Sequence, residues 1–260
     1  MAYEFIKYEK QGRIARITIN RPDVMNALHP PANAELSAAF DDFAQDPASW
    51  VAIITGAGDK AFSAGNDLKY SAQHGMAASV ATGAGGFGGI TARFDLFKPV
   101  IAAVNGLALG GGFEIALACD IIVAADHARF GLPEPRVGLA ALAGGMQRLP
   151  RHIPPKIALG LMLTGKHILA EEAHRLGLVN EVVPAKDLAA TADRWADEIL
   201  QCSPSSVRAT KQVALLSQGM PLEDAMTKSY PLVGALFHSE DMMEGVVAFA
   251  QKRKPEWKGK

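Results

Sequence analysis

PVIAAVNGLALGGGFEIALACD, residues 99–120, is the stretch on which the fold turns. Pro99–Val104 is a short unbroken apolar run rich in Val and Ile. Such a run suits a strand buried on both faces, as in a parallel sheet covered by helices. Asn105-Gly106 ends the run. Gly110-Gly111-Gly112 then opens a helix that continues to about Ala118, and Asp120–Ala125 reads as a further buried strand. Parallel strands need a crossover connection, so this order predicts an α/β chain.

Upstream, VAIITG begins at Val51 and VIAAVNG at Val100, about 50 residues later, a weak internal repeat of strand, connection and helix. The first 20 residues read as two strands, YEFIKYE and then Ala15, Ile17 and Ile19 alternating on one face, with Gly12 between them. NRPDVMNALHPP, residues 20–31, is a loop by composition. Leu36, Phe40 and Phe43 predict a helix over Asn33–Asp46, with Asn33 as its N-cap and Pro47 as its stop. Gly56–Gly65 reads as a turn-rich connection, and Ser71–Gly89 as a mobile surface segment without apolar period. The last third is helical: Pro155–Leu163, Ala170–Leu176, Leu188–Leu200, Ser205–Ser217 and Leu222–Phe237, with no strand after Val182-Val183. The simplest division is an α/β core over residues 1–185 and a helical region over residues 186–260.

Composition excludes several function classes. The 26 Lys and Arg balance 27 Asp and Glu, for a net charge of −1, which disfavours a nucleic-acid binder. No apolar run approaches the roughly 20 residues of a membrane helix. The start, MAYEFIKYEK, alternates polar and apolar residues and has no secretory h-region. Cys119 and Cys202 make no disulfide scaffold, so two buried thiols in a cytoplasmic, reducing compartment are expected. The seven histidines are scattered and no Cys-x-x-Cys occurs, so no metal site is proposed. Gly56-Ala-Gly-Asp-Lys-Ala61 has the outline of a dinucleotide fingerprint, but no apolar helix follows it and no acidic residue lies about 20 positions on.

Four stretches can carry chemistry: KAFSAGNDL (60–68), AVNGLALGGGFEIAL (103–117), FGLPE (130–134) and AGGMQRL (143–149). A glycine-rich helix start presents free N–H groups and the positive end of the helix dipole, which suits an anion or a developing oxyanion. Glu114 falls in that first turn, where it also complements the dipole. Glu134 follows Pro133 in a loop, where a solvated charge is the ordinary outcome. Two carboxyl groups beside one water can divide acid and base roles if their environments push their pKa values apart. Spacing alone does not bring Glu114 and Glu134 together.

In order along the chain, AFSAGNDL, PVIAAVNGLALGGGFEIALACD, ARFGLPEPRVGL and AGGMQRLPR resemble the crotonase, or enoyl-CoA hydratase/isomerase, superfamily. The similarity extends through LTGKHILAEEAHRLGLVNEVVP to the C-terminus. GGFGG and HSEDMMEGVVAFAQKRKPEWKGK resemble one dehydratase branch of it most. The resemblance implies a spiral of ββα repeats and a C-terminal helical region that builds homotrimers, often paired into homohexamers. It implies an acyl-CoA thioester substrate, with no cofactor beyond that CoA. The backbone N–H groups of Asn66 and Gly111 would polarise the thioester carbonyl. Glu114 and Glu134 would hold one water and add it across, or remove it from, the 2,3 double bond. Asn26, Ala27, Leu28, Ala64, Asp67 and Leu68 match contacts to CoA, and Phe249 and Lys252 match a pair that reaches a neighbouring subunit's nucleotide. Two other functions fit the same motifs: a double-bond isomerase using Glu134 alone, and an acyl-CoA-binding protein without turnover. Two positions depart from the hydratase pattern. Asn66 stands where Ala is common. Leu142 replaces a glycine whose N–H helps hold the water, and it narrows the acyl pocket.

Overall fold

The computed structural model describes residues 3–75 and 82–260. β1 (Ile6–Gln11) and β2 (Ile14–Ile19) pair antiparallel. From β2 the sheet continues in parallel through β3 (Val51–Gly56), β5 (Val100–Val104), β7 (Ile121–Ala125) and β10 (Glu181–Val183). A second sheet consists of β4 (Ala61–Ser63), β6 (Leu107–Leu109) and β8 (Arg129–Gly131) in parallel, with β9 (His167–Leu169) antiparallel to β8. Each turn of the chain gives one strand to each sheet: β3 then β4, β5 then β6, β7 then β8. α2 (Leu68–His74) follows the first pair and α3 (Gly111–Ala118) the second. The expected ββα spiral is therefore present. The faint sequence repeat is a sheet register, because Ala52 pairs with Val100, Ile53 with Ile101 and Ile54 with Ala102.

β5 is buried along its whole length, which is why it shows no alternation. α1 (Pro30–Gln45) buries Leu36, Phe40 and Phe43 in the same core. α7 (Leu188–Leu200) adds Leu188, Ala192 and Ala196 to it, so the first helix after residue 185 packs on this chain's own sheet. α4 (Gly145–His152), α5 (Pro155–Thr164) and α6 (Ala170–Arg175) precede α7. α8 (Pro204–Leu216), α9 (Leu222–Thr227), α10 (Pro231–Leu236) and α11 (Glu240–Ala250) follow it. Buried Asp241 ties the end of the chain down. It accepts from the Ser203 and Ser205 hydroxyls, each at 3.2 Å, and from the Lys258 and Gly259 amides at 2.8 and 3.1 Å. No helix of the described residues is long and apolar enough to cross a membrane.

Several local expectations need correction. α1 starts at Pro30, because proline at the first helical positions has its φ already set and lacks only an N–H that the helix would leave unused. Asn33 is thus inside the helix and buried, not its N-cap. Its Oδ1 accepts the Gly88 N–H at 2.7 Å, and its Nδ2 donates to the His29 carbonyl at 3.3 Å. Gly56–Gly65 contains β4. The Ser71–Gly89 segment holds the end of α2 and a buried turn at Phe87–Gly89, while residues 76–81 lie outside the described residues. Leu222–Phe237 is two helices, since Pro231 cannot donate to continue one. α11, capped by Ser239, has no counterpart in the expected elements. Cys202 is exposed rather than buried.

Asn33→Ala would leave the buried Gly88 N–H without its acceptor. A loss of about 1–3 kcal/mol in urea unfolding is expected. An unchanged midpoint would show that this bond does not hold the Gly83–Gly89 turn.

Candidate active site

Asn66 lies in the turn from β4 to α2, and Gly111 is the first residue of α3. They come from successive turns of the spiral, which press backbone on backbone here. A Cβ on Gly112 would fall 2.0 Å from the Ser63 carbonyl oxygen, and one on Gly65 2.7 Å from the Gly111 nitrogen. Only glycine allows that approach. Leu28 bridges to this turn: its N–H donates to Gly65 O at 2.7 Å and its carbonyl accepts from Asp67 N at 3.0 Å. The Asn66 N–H stays outside that pairing. Among the described residues, neither the Asn66 nor the Gly111 N–H donates to a protein acceptor. Both residues line a cavity of 1920 Å³, which Glu114 and Glu134 also line.

The second sheet brings the two glutamates together. β6 and β8 run in register with Leu109 opposite Gly131, and Gly110 N donates to Gly131 O at 2.9 Å. The segments that leave these strands, the start of α3 and Pro133-Glu134, therefore emerge side by side. A Cβ on Gly110 would lie only 3.2 Å from Glu134 Oε1. Glu114 is 3% exposed, and its Oε1 accepts the Gly145 N–H at 2.8 Å. Burial pushes its carboxyl up to about 7, aided by the charge of Glu134, while the Gly145 and Ala143 amides and Arg148 pull the other way. Burial also raises the Glu134 carboxyl, whose Oε2 is buried without a partner among the described residues.

The remaining candidate residues divide. Ala64 and Leu68 line the cavity. Asn26 is fully buried and its side chain is spent on the frame: it accepts from Arg21 N at 2.9 Å and donates to Ala57 O and Ala61 O at 3.0 and 2.7 Å. Ala27 offers its carbonyl to Arg21 Nη1, and Leu28 is fully buried. Asp67 caps α2 through Tyr70 N at 3.1 Å and pairs with Arg21 at 3.0 Å. Phe249, 88% exposed, and Lys252 lie near the end of the chain and are not among the residues of this cavity. The Asn66 side chain turns toward α2, donating from Nδ2 to Ser71 Oγ at 3.0 Å. Leu142 takes no left-handed backbone, yet its N–H is committed to Ala140 O at 2.9 Å and its side chain is 77% exposed. The amide that holds Glu114 is that of Gly145. Sequence reasoning singled out its stretch, AGGMQRL, without assigning that residue a role.

A family model described as enoyl-CoA hydratase/isomerase matches residues 9–260. The chain belongs to the enoyl-CoA hydratase/isomerase family. It is 46% identical over 263 residues to a carnitinyl-CoA dehydratase of Salmonella arizonae, covering 98% of this chain and 99% of that one. The carnitinyl-CoA dehydratase of Escherichia coli is 45% identical over 264 residues, covering 99% of each. A crystal structure of an enoyl-CoA hydratase from Mycobacterium tuberculosis superposes with a TM-score of 0.92 at 41% identity, covering 98% of this chain and 99% of the other. The dehydratase branch that the C-terminal stretch resembles is the one to which the Salmonella arizonae and Escherichia coli relatives belong by name. The mixed α/β architecture of the enoyl-CoA hydratase/isomerase family accounts for the whole length of the chain.

A carboxyl whose folded pKa is raised from 4.5 to about 7 costs the folded state nothing at low pH and progressively more as pH rises through that range. The full difference is on the order of 3 kcal/mol. Glu114→Gln should therefore gain in Tm over the native chain between pH 5 and pH 8. A constant offset across that range would show that the Glu114 pKa is not raised in the folded state.

Proposed function

We propose that this chain is an acyl-CoA hydro-lyase, adding or removing water across the 2,3 double bond of an enoyl-CoA thioester. The convergence of two carboxyl groups, buried Glu114 and half-buried Glu134, on one cavity with two unengaged backbone amides carries this function. In hydration, the Asn66 and Gly111 N–H groups receive the thioester oxygen as it becomes enolate-like. Donors of this kind typically contribute roughly 2.7–4 kcal/mol to the transition state. The Gly145 N–H favours the ionised form of Glu114, which takes the proton of the water as its oxygen bonds to Cβ. Glu134, whose Oε2 has no partner among the described residues, is placed to pass a proton to Cα. In dehydration the two exchange roles.

The whole-chain similarity to carnitinyl-CoA dehydratases favours the dehydratase direction on a carnitinyl-type ester. The CoA would be held by the backbone of Asn26, Ala27 and Leu28, by Ala64, Asp67 and Leu68, and by Phe249 and Lys252 of a neighbouring copy. No further cofactor is required. Exposed Met243, Val246 and Phe249 on or beside one face of α11, with Leu222, Met226 and Phe237, support association through residues 186–260 into a homotrimer or homohexamer. The cytoplasm is the compartment that fits an acyl-CoA substrate.

Turnover on a panel of 2-enoyl, 3-enoyl and crotonobetainyl-CoA esters, with products resolved by mass, tests this. A 2-enoyl ester should gain the mass of one water. Glu114→Gln and Glu134→Gln should each lower that rate by ~10²–10⁴. Native rates in either variant would overturn the two-carboxylate mechanism. Conversion of a 3-enoyl ester without change of mass, with a mild Glu114→Gln, would assign isomerisation by Glu134 instead.

A further inference from the structure

Arg148 lies in the stretch Ala143–Leu149 and has no part in the proton transfers above. It stands on α4 and lines the cavity. Its Nη2 donates to the Thr91 carbonyl at 2.9 Å, and its Nη1 points to the Ala143 carbonyl at 3.5 Å. Its guanidinium carbon is 5.9 Å from the centroid of the Phe94 ring. Gly144, at φ +103°, makes this placement possible, since a Cβ there would sit 2.1 Å from Nη1. The guanidinium is therefore laid across the loop backbone at Ala143-Gly144, while the next residue, Gly145, gives its N–H to Glu114. Arg148 pairs with no carboxylate among the described residues. The titratable groups that act on it or feel it are Glu114, Cys119 and His152, and Glu114 in turn feels Glu134. Two carbonyls do not neutralise a guanidinium, and a partly desolvated charge is costly to keep for packing alone.

We propose that Arg148 is a positioning residue that clamps the Thr91 wall of the cavity to the Ala143–Gly145 loop and so keeps the Gly145 amide and one fixed positive charge on Glu114. The task rests on Glu114 transferring protons, as proposed above. Removing the charge raises the Glu114 pKa, so the ascending limb of a Glu114-dependent rate moves to higher pH. Lysine keeps the charge but lacks the planar fork that spans two carbonyls.

The test compares Arg148→Met and Arg148→Lys with the native chain, and takes Glu114→Gln as the spectroscopic reference. The carboxyl C=O infrared band that is lost in Glu114→Gln is titrated without turnover, and kcat and KM are measured against pH. In Arg148→Met the band and the ascending limb of kcat should both move to higher pH. kcat at neutral pH should fall ~10-fold, with a smaller change in KM. Arg148→Lys should restore the pH position but not the full kcat. A folded Arg148→Met with native titration and native kcat overturns the proposal. Should Arg148→Met not fold, a folded Arg148→Lys with full kcat overturns it equally. Full turnover by Glu114→Gln would remove the hydro-lyase assignment, and the infrared titration would still decide whether Arg148 acts on Glu114.

Discussion

Backbone contact between successive turns of the spiral is the constraint from which the site follows. At the start of α3, Gly112 lies under the Ser63 carbonyl and Gly65 beside the Gly111 nitrogen, at distances that leave no room for a side chain. Main-chain donors face a common point only if the chains that carry them are held this closely. The parallel registers of β3 with β5 and of β4 with β6 hold them. The same second sheet, one strand further on, sets Glu134 over Gly110. The donors and one carboxyl group are therefore placed by strand pairing, with little left to the choice of side-chain rotamer.

The price in stability sits on the carboxyl groups. Glu114 and Glu134 are both desolvated, and the charge of Glu134 disfavours ionisation of Glu114. Their surroundings nevertheless differ. Glu114 is met by the Gly145 amide and by the field of Arg148, whereas Glu134 keeps an oxygen without a partner. Unequal hydrogen bonding of this kind is what lets two groups of the same chemical type take different proton-transfer roles. A folded domain of marginal stability can carry such a pair because the core around it is continuous, from the sheet through α1 to α7.

Long buried strands and their repeat were legible in the sequence, because continuous apolar runs such as Val100–Val104 admit few other readings. The three-residue strands β4, β6 and β9 were not, since so short a segment has no period to detect. Asn33 misled because a capping residue type can also serve as a buried acceptor inside a helix, here for Gly88. The two glutamates were legible as candidates, but their meeting was not. It depends on the pairing of Leu109 with Gly131, 22 positions apart in the chain. Leu142 shows the limit of matching residue by residue. A non-glycine fits there without strain, yet its N–H is used locally, and a different amide of the same loop serves Glu114.

Because the two unengaged N–H groups at Asn66 and Gly111 belong to the main chain, their placement is separate from the side chains that line the cavity. Phe87, Phe94 and Leu142 all border the cavity, and none of them has a side chain that donates a hydrogen bond. Point substitution at such positions can reshape the space around the acyl group while the carbonyl-polarising geometry persists. The frame that fixes the two amides and the lining that shapes the space before them are therefore set by different kinds of contact, strand pairing in one case and side-chain volume in the other.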